Sequence, residues 1–151
     1  MRGVLKGKYT FRMTTVEENC DNLRSIVSLV RSVNPDCKFV FSLSPVPLTS
    51  TLEQRSAMEA DCLSKATLRV AVDRVVSDTA DCIYWPAFEI VRWMGAYVPN
   101  MYGEEDGTTH HVSERVVRTI MRLFLETYLR PDKERDPSIK DQRSVTETRS
   151  A

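Results

Sequence analysis

The segment Lys38–Leu48, with the sequence KFVFSLSPVPL, constrains the fold more than any other part of the chain. It opens with a short apolar run, Phe39-Val40-Phe41, and ends in a turn rich in serine and proline. An apolar run this short, bounded by prolines and lying between two helical patterns, predicts a buried parallel strand followed by a turn. The carboxyl ends of such strands carry the ligand sites of open α/β sheets. The turn is therefore a candidate ligand site.

The helical pattern before this strand is well defined. Thr15 and Glu18 form a T-x-x-E capping box, which marks the beginning of a helix. Apolar residues then recur at helical spacing and predict an amphipathic helix over residues 16–33. Pro35 ends it, because proline has no N–H for the helical ladder and disfavours the helical state in the residue before it.

After the turn, residues 49–61 lack clear periodicity and are interpreted as a loop. Ser64 is predicted to cap a second helix that ends near residues 78–80, and residues 82–85 (CIYW) predict a second strand. The order helix, strand, helix, strand indicates an α/β fold with parallel strands near residues 38–43 and 82–85.

The chain is predicted to hold one domain between two terminal segments. Residues 1–13 are interpreted as an extended lead-in, residues 14–130 as the α/β domain, and the charged residues 131–151 as a disordered tail. Within the domain, residues 88–98 are rich in aromatic and apolar side chains and could form a short helix or a packed loop. Ser113 can cap the last helix.

The composition gives no indication of nucleic acid, a membrane, a metal or a cofactor as a partner. The 151 residues contain 21 basic and 21 acidic side chains, which gives no electrostatic argument for nucleic acid or an anionic membrane. No signal-peptide core or membrane-length apolar run is present, so a cytoplasmic protein is expected. The four cysteines form no CxxC pair and are interpreted as reduced thiols with no metal site among them, and no cofactor is expected.

The two histidines are adjacent, just before the last helix and a few residues after Asp106. A histidine with a carboxylate behind it is the base and orienting group of a nucleophilic triad, because the carboxylate fixes the imidazole tautomer and stabilises the imidazolium. The alternatives are a solvated pair, His110 and His111, in an acidic loop, or a metal site that adds Glu104 and Glu105.

No nucleophile is evident for this base. The sequence lacks a GxSxG elbow. Ser44 lies at the carboxyl end of the first strand, but Pro45 follows it and has no N–H for an oxyanion hole, so a turn residue is the alternative interpretation. Ser64 and Lys65 are neighbours that point in different directions on a helix, and Cys62 is as well explained by packing.

Six strings along the chain, taken together, resemble the GSCFA domain family, which is similar to the SGNH/GDSL hydrolases. The strings are Tyr9-x-Phe11-Arg12, Asn34-Pro35, Ser44-Pro45-Val46-Pro47-Leu48 with Thr49 and Thr51, Ser64-Lys65-Ala-Thr-Leu68-Arg69, Tyr84-Trp85-Pro86-Ala-Phe88-Glu89-Ile90-Val91, and Asp106 with His111-Val112-Ser113. The resemblance covers residues 8–128, which would be the C-terminal half of that domain.

The resemblance implies a three-layer α/β/α, flavodoxin-like sheet that is incomplete in this chain, and ester or acyl-group chemistry. It implies that Asp106 and His111 correspond to the late D-x-x-H block of such enzymes, with a spacing about two residues wider and with His110 as the alternative base. The family's N-terminal nucleophile block is missing, so the chain is expected to be inactive alone. A small ester or acylated carbohydrate is the expected substrate. A complementary N-terminal half or a second copy is the expected partner, and the alternative function is a non-catalytic module that binds through its sheet edge.

Overall fold

A computed structural model describes residues 12–51, 56–103 and 110–129. In these parts of the chain it contains four helices and two strands. The helices are α1 (Val16–Val33), α2 (Ala57–Asp78), α3 (Ala87–Met94) and α4 (Glu114–Tyr128), and the strands are β1 (Phe39–Phe41) and β2 (Cys82–Tyr84). The segment before residue 12 and the predicted tail after residue 130 lie outside the described residues. The mixed α/β class is confirmed.

The two strands form a small parallel sheet in which Phe39 pairs with Cys82, Val40 with Ile83 and Phe41 with Tyr84. Both strands lie where the sequence predicts them. The connection between them contains α2, as expected because parallel neighbours need a long crossover.

Helix α1 agrees closely with its prediction. The Thr15 hydroxyl accepts a hydrogen bond from the Glu18 amide at 3.1 Å, and the Glu18 carboxylate accepts one from the Thr15 amide at 2.8 Å. This reciprocal capping box satisfies two backbone donors that a helix otherwise leaves unpaired. α1 then packs on α2 through a core of Cys20, Ala71 and Val75.

The predicted beginning of α2 is wrong. The helix begins seven residues before Ser64, at Ala57, and its N-cap is Ser56, whose hydroxyl accepts from the Glu59 amide. Ser64 lies inside the helix and donates to the carbonyl of Asp61 at 3.1 Å. Apolar periodicity is weak here because this part of α2 presents Asp61 and Lys65 to the loop after β1 rather than to an apolar core.

Helices α3 and α4 form a second core around Val91, Met101, Val116 and Ile120. Residues 88–98, for which the sequence left a short helix or a packed loop open, form the end of α3 followed by turns. Two aromatic side chains of this segment, Trp93 and Tyr97, are 78% and 79% exposed. None of the helices in the described residues is long and apolar enough to cross a membrane.

Candidate functional site

The loop after β1 is clamped onto α2 at the carboxyl end of the sheet. The Lys65 ammonium donates to the Val46 carbonyl at 3.0 Å, and the Leu48 amide donates to Asp61 Oδ1 at 3.0 Å. Both contacts are made to the backbone of the SPVPL turn, one on each side of Pro47. The turn is therefore held by two side chains that lie one helical turn apart on α2.

Asp61 is the centre of this clamp. Its side chain is only 4% exposed and its Oδ1 lies 3.7 Å from the Lys65 ammonium. Arg92 of α3 donates to Oδ2, so the carboxylate joins both helices to the loop. A buried carboxylate is costly unless cations and hydrogen-bond donors surround it, and here all three partners are present.

A second polar network lies beside the clamp and joins α2 to β2 and α3. Glu89 accepts from Arg69 Nε at 2.9 Å and from the Tyr84 hydroxyl at 2.8 Å. The Arg69 guanidinium also lies over the Tyr84 ring, 4.1 Å from its centroid, and donates to Asp73 at 3.1 Å. The phenol is thus held between a cation above its ring and a carboxylate at its tip.

The Tyr84 phenol gives the protein a predicted response to alkaline pH. Burial raises the pKa of Tyr84 above its ordinary value, and the Glu89 carboxylate raises it further because it accepts a hydrogen bond from the protonated phenol and its charge disfavours the phenolate. The folded state therefore keeps a proton that the unfolded state releases above about pH 10. The corresponding stability is fully present below that pH and is lost as pH rises above it. Urea unfolding from pH 8 to 11 should show a shallower loss for Tyr84→Phe than for the native chain, and equal slopes would contradict the assignment.

The histidines lie directly before Val112, which forms a short antiparallel bridge with Tyr102 just ahead of α4. Tyr102 pairs with Val112, the Gly103 amide donates to the His111 carbonyl at 3.0 Å, and the Ser113 amide donates to the Met101 carbonyl at 3.0 Å. The backbone of His111 is therefore held in place immediately before the helix. The His110 and His111 rings lie edge to face, with centroids 4.9 Å apart.

Ser113 lies at the N-cap of α4, as predicted, but its hydroxyl does not cap the helix. It donates instead to the Asn100 carbonyl at 2.8 Å, and Arg115 donates to the Pro99 carbonyl at 2.7 Å. Both bonds tie the end of the loop after α3 to the beginning of α4. They hold the backbone that follows the histidines against this loop.

The predicted site residues have different outcomes. Asp106 lies outside the described residues, so its pairing with His111 stays a prediction. Ser44 is exposed, and its hydroxyl accepts from the Val46 amide at 3.3 Å, which is a turn contact and involves neither histidine. Cys62 is exposed on α2 and Ser64 donates into its own helix.

The described residues give no support to a metal site built from the acidic loop and the histidines. Among residues 12–51, 56–103 and 110–129, no three histidine, cysteine, aspartate or glutamate side chains form a group that could hold a metal ion. Glu104, Glu105 and Asp106, which that alternative needs, lie outside these ranges.

The sequence did not single out Asp61 and Arg92, which belong to the clamp, or predict the contacts of Glu89 in the second network. Asp61 was placed in a loop, although it lies four residues before Lys65, the spacing at which opposite charges meet on a helix. The other two belong to the string around α3, where only the resemblance drew attention to Glu89.

Comparison with known proteins identifies the family. The family model described as GSCFA matches residues 3–124, and the chain belongs to the GSCFA family. No curated protein and no solved structure matches the chain. The polar clamp, the second network and the histidine segment all lie within the matched residues.

Proposed function

We propose that this GSCFA chain is the C-terminal part of an SGNH-like ester hydrolase or acyltransferase with a three-layer α/β/α, flavodoxin-like sheet. In this proposal His111 is the general base and Asp106 orients it. The observation that carries the proposal is the His111 backbone, which is fixed in an antiparallel bridge directly before α4 and within the residues that match the family.

The chemistry follows from the base. Neutral imidazole takes the proton of a hydroxyl nucleophile as that oxygen attacks an acyl carbon, and it later returns the proton to the leaving group. The carboxylate of Asp106 would stabilise the imidazolium between these steps. A small ester or an acylated carbohydrate is the substrate that this proposal favours, with water or a second hydroxyl as the acyl acceptor.

The nucleophile in this proposal comes from sequence outside these 151 residues. Ser44 is a poor candidate, because its hydroxyl accepts the Val46 amide and because Pro45 offers no N–H to an oxyanion. The chain alone is accordingly expected to be inactive. A fluorophosphonate probe, which labels activated serines, should leave the purified chain unmodified.

The test uses the chain together with the polypeptide encoded immediately upstream, with p-nitrophenyl acetate as the substrate. Hydrolysis is expected only when both are present, and His111→Ala should lower its rate by about 100-fold or more, the contribution typical of a general base. His110→Ala is the matched control and should change the rate by a few-fold at most. Undiminished hydrolysis by His111→Ala, or probe labelling of Ser44 in the chain alone, would contradict the proposal.

A second candidate function is a non-catalytic module that binds a partner through the sheet edge. The observation in its favour is the outer edge of β1, where Val40 is exposed. If this function is correct, partner binding should survive both His111→Ala and Asp106→Ala, and no ester hydrolysis should accompany the complex.

A further inference from the structure

Two aromatic side chains at the end of α3 point into solvent. Trp93 is 78% exposed and Tyr97, four residues later, is 79% exposed. Within the described parts of the chain, neither side chain makes a hydrogen bond or a contact with another aromatic ring. Tryptophan is highly buried on average in folded proteins, so two aromatic side chains this exposed are a candidate binding surface.

The backbone places the two rings on the same side of one helical turn. The Val98 amide donates to the Met94 carbonyl at 3.0 Å, and the Tyr97 amide donates to the same carbonyl at 2.9 Å. The helical path of α3 therefore continues past its last residue. Side chains four positions apart on such a path are neighbours, with their Cβ atoms about 5–6 Å apart. Trp93 and Tyr97 are called the aromatic pair below.

The backbone beneath the aromatic pair is fixed, and no large side chain separates the two rings in the sequence on their exposed side. Gly95 and Ala96 lie between them, and a Cβ atom at Gly95 would lie only 2.9 Å from the Val91 carbonyl oxygen. Val91 itself is 1% exposed, and the neighbouring Arg92 is bound to Asp61. A flat ligand would therefore meet two rings whose positions are set before it binds, which lowers the entropic cost of binding.

The aromatic pair lies on the same tied segment as the proposed base. The Ser113 hydroxyl donates to the Asn100 carbonyl, and the Gly103 amide donates to the His111 carbonyl at 3.0 Å. Six residues of chain lead from Tyr97 to Gly103, so their Cα atoms are at most about 22 Å apart. One elongated ligand of several rings can reach from the aromatic pair to His111.

We propose that the aromatic pair binds sugar rings of the carbohydrate that carries the ester. This inference rests on the proposed function and selects the acylated carbohydrate from its two substrates. The face of an aromatic ring is negative, and a pyranose with equatorial hydroxyls presents a flat face of weakly positive axial C–H groups. Two aromatic rings one helical turn apart can stack on two such faces of one oligosaccharide.

The surroundings of the aromatic pair favour a sugar over other flat or apolar ligands. Stacking on nucleic acid bases needs cations for the phosphates, whereas Arg92 is bound to Asp61 and the chain has 21 basic and 21 acidic residues. A protein partner usually covers about 800 Å² on each side. The exposed residues that separate or follow the pair, Ala96, Pro99 and Asn100, are small or polar and do not extend an apolar patch.

The test uses the purified chain, labelled with ¹⁵N, and cellohexaose, a β-linked glucose oligomer that carries no ester. The two tryptophans give two indole N–H signals, one from exposed Trp93 and one from Trp85, whose Nε1 is buried. The Trp93 signal should shift saturably, with a Kd of about 1 mM or lower, and the Trp85 signal should not move.

Substitutions separate ring stacking from general apolar contact. Trp93→Ala and Tyr97→Ala should each weaken binding by about tenfold or more, while Tyr97→Phe, which keeps a ring, should bind like the native chain. Trp93→Leu should fail like Trp93→Ala, because leucine is apolar but has no aromatic face. Leu29→Ala is the matched control, since it removes a 71% exposed apolar side chain from α1 and should change nothing. Binding to the Trp93 variants is followed through the backbone amides of residues 96–98.

Three results would overturn this inference. The first is an unmoved Trp93 signal up to about 10 mM cellohexaose in a chain with native circular dichroism. The second is undiminished binding by both Trp93→Leu and Tyr97→Ala. The third is a Trp93 signal that the polypeptide encoded upstream shifts and thereby closes to cellohexaose, because a protein would then occupy the pair. Cellohexaose binding needs neither an ester nor the base, and His111→Ala should leave it unchanged, so failure here and failure of the hydrolysis test are distinguishable.

Discussion

Replacing Asp61 by alanine is expected to lower the free energy of unfolding by about 3 kcal/mol, because it leaves Lys65, Arg92 and the Leu48 amide without their shared buried acceptor. The Asp61 carboxylate is 4% exposed and serves Lys65, Arg92 and the Leu48 amide at once. Domains of this size are stabilised by about 5–15 kcal/mol in total. The loss would therefore be a large part of the protein's stability.

The matched control is Asp73→Ala. Asp73 also accepts from an arginine of α2, at 3.1 Å, but its side chain is 67% exposed. Solvent screens such a pair, so its removal should change the unfolding free energy by about 1 kcal/mol or less. Urea unfolding followed by far-UV circular dichroism measures both variants, and equal effects of Asp61→Ala and Asp73→Ala would contradict the assigned role of Asp61.

Asp61→Asn separates the charge from the hydrogen bond. The asparagine carbonyl can still accept from the Leu48 amide, but it no longer balances the charges of Lys65 and Arg92. An intermediate loss of stability is therefore expected. A loss as large as that of Asp61→Ala would mean that ion pairing rather than the loop contact dominates the clamp.

The local structure of the chain was largely predictable from its sequence. The capping box at Thr15 and Glu18, the proline after α1 and the short apolar runs at 39–41 and 82–84 depend on neighbours within a few residues, so they can be read directly. The beginning of α2 was missed because Asp61 and Lys65 interrupt its apolar pattern, and their partners lie in a loop far along the chain.

The polar networks show why the candidate site was less predictable than the fold. The strings that resemble the GSCFA family include Lys65, Arg69, Tyr84 and Glu89, and the structure brings these residues into contacts that hold the SPVPL turn and join α2 to α3. Spacing in the sequence cannot reveal a contact between residues 20 positions apart. A motif can therefore mark a structural clamp as readily as it marks a catalytic group.

Trp85 gives the second large expected effect and tests how the end of β2 is packed. Its ring lies edge-on against Phe124 and Tyr128 of α4, with centroids 5.4 and 6.0 Å away. Trp85→Ala should lower the free energy of unfolding by about 3 kcal/mol, because it removes a half-buried aromatic side chain that packs on Phe124, Tyr128 and the core between α3 and α4. Unfolding followed by far-UV circular dichroism avoids dependence on the fluorescence of the replaced tryptophan.

Trp85→Phe should lower the free energy of unfolding far less, because it removes the indole nitrogen Nε1. The buried Nε1 donor of Trp85 has no hydrogen-bond partner in the part of the chain that the structure describes. An unsatisfied buried donor costs about 1–3 kcal/mol, and phenylalanine removes it while keeping a ring against Phe124 and Tyr128. The relief offsets the smaller apolar surface, so a net change within about 1 kcal/mol is expected. A loss of stability as large for Trp85→Phe as for Trp85→Ala would contradict this assignment. It would mean that Nε1 donates a hydrogen bond to an acceptor at the carboxyl end of β2.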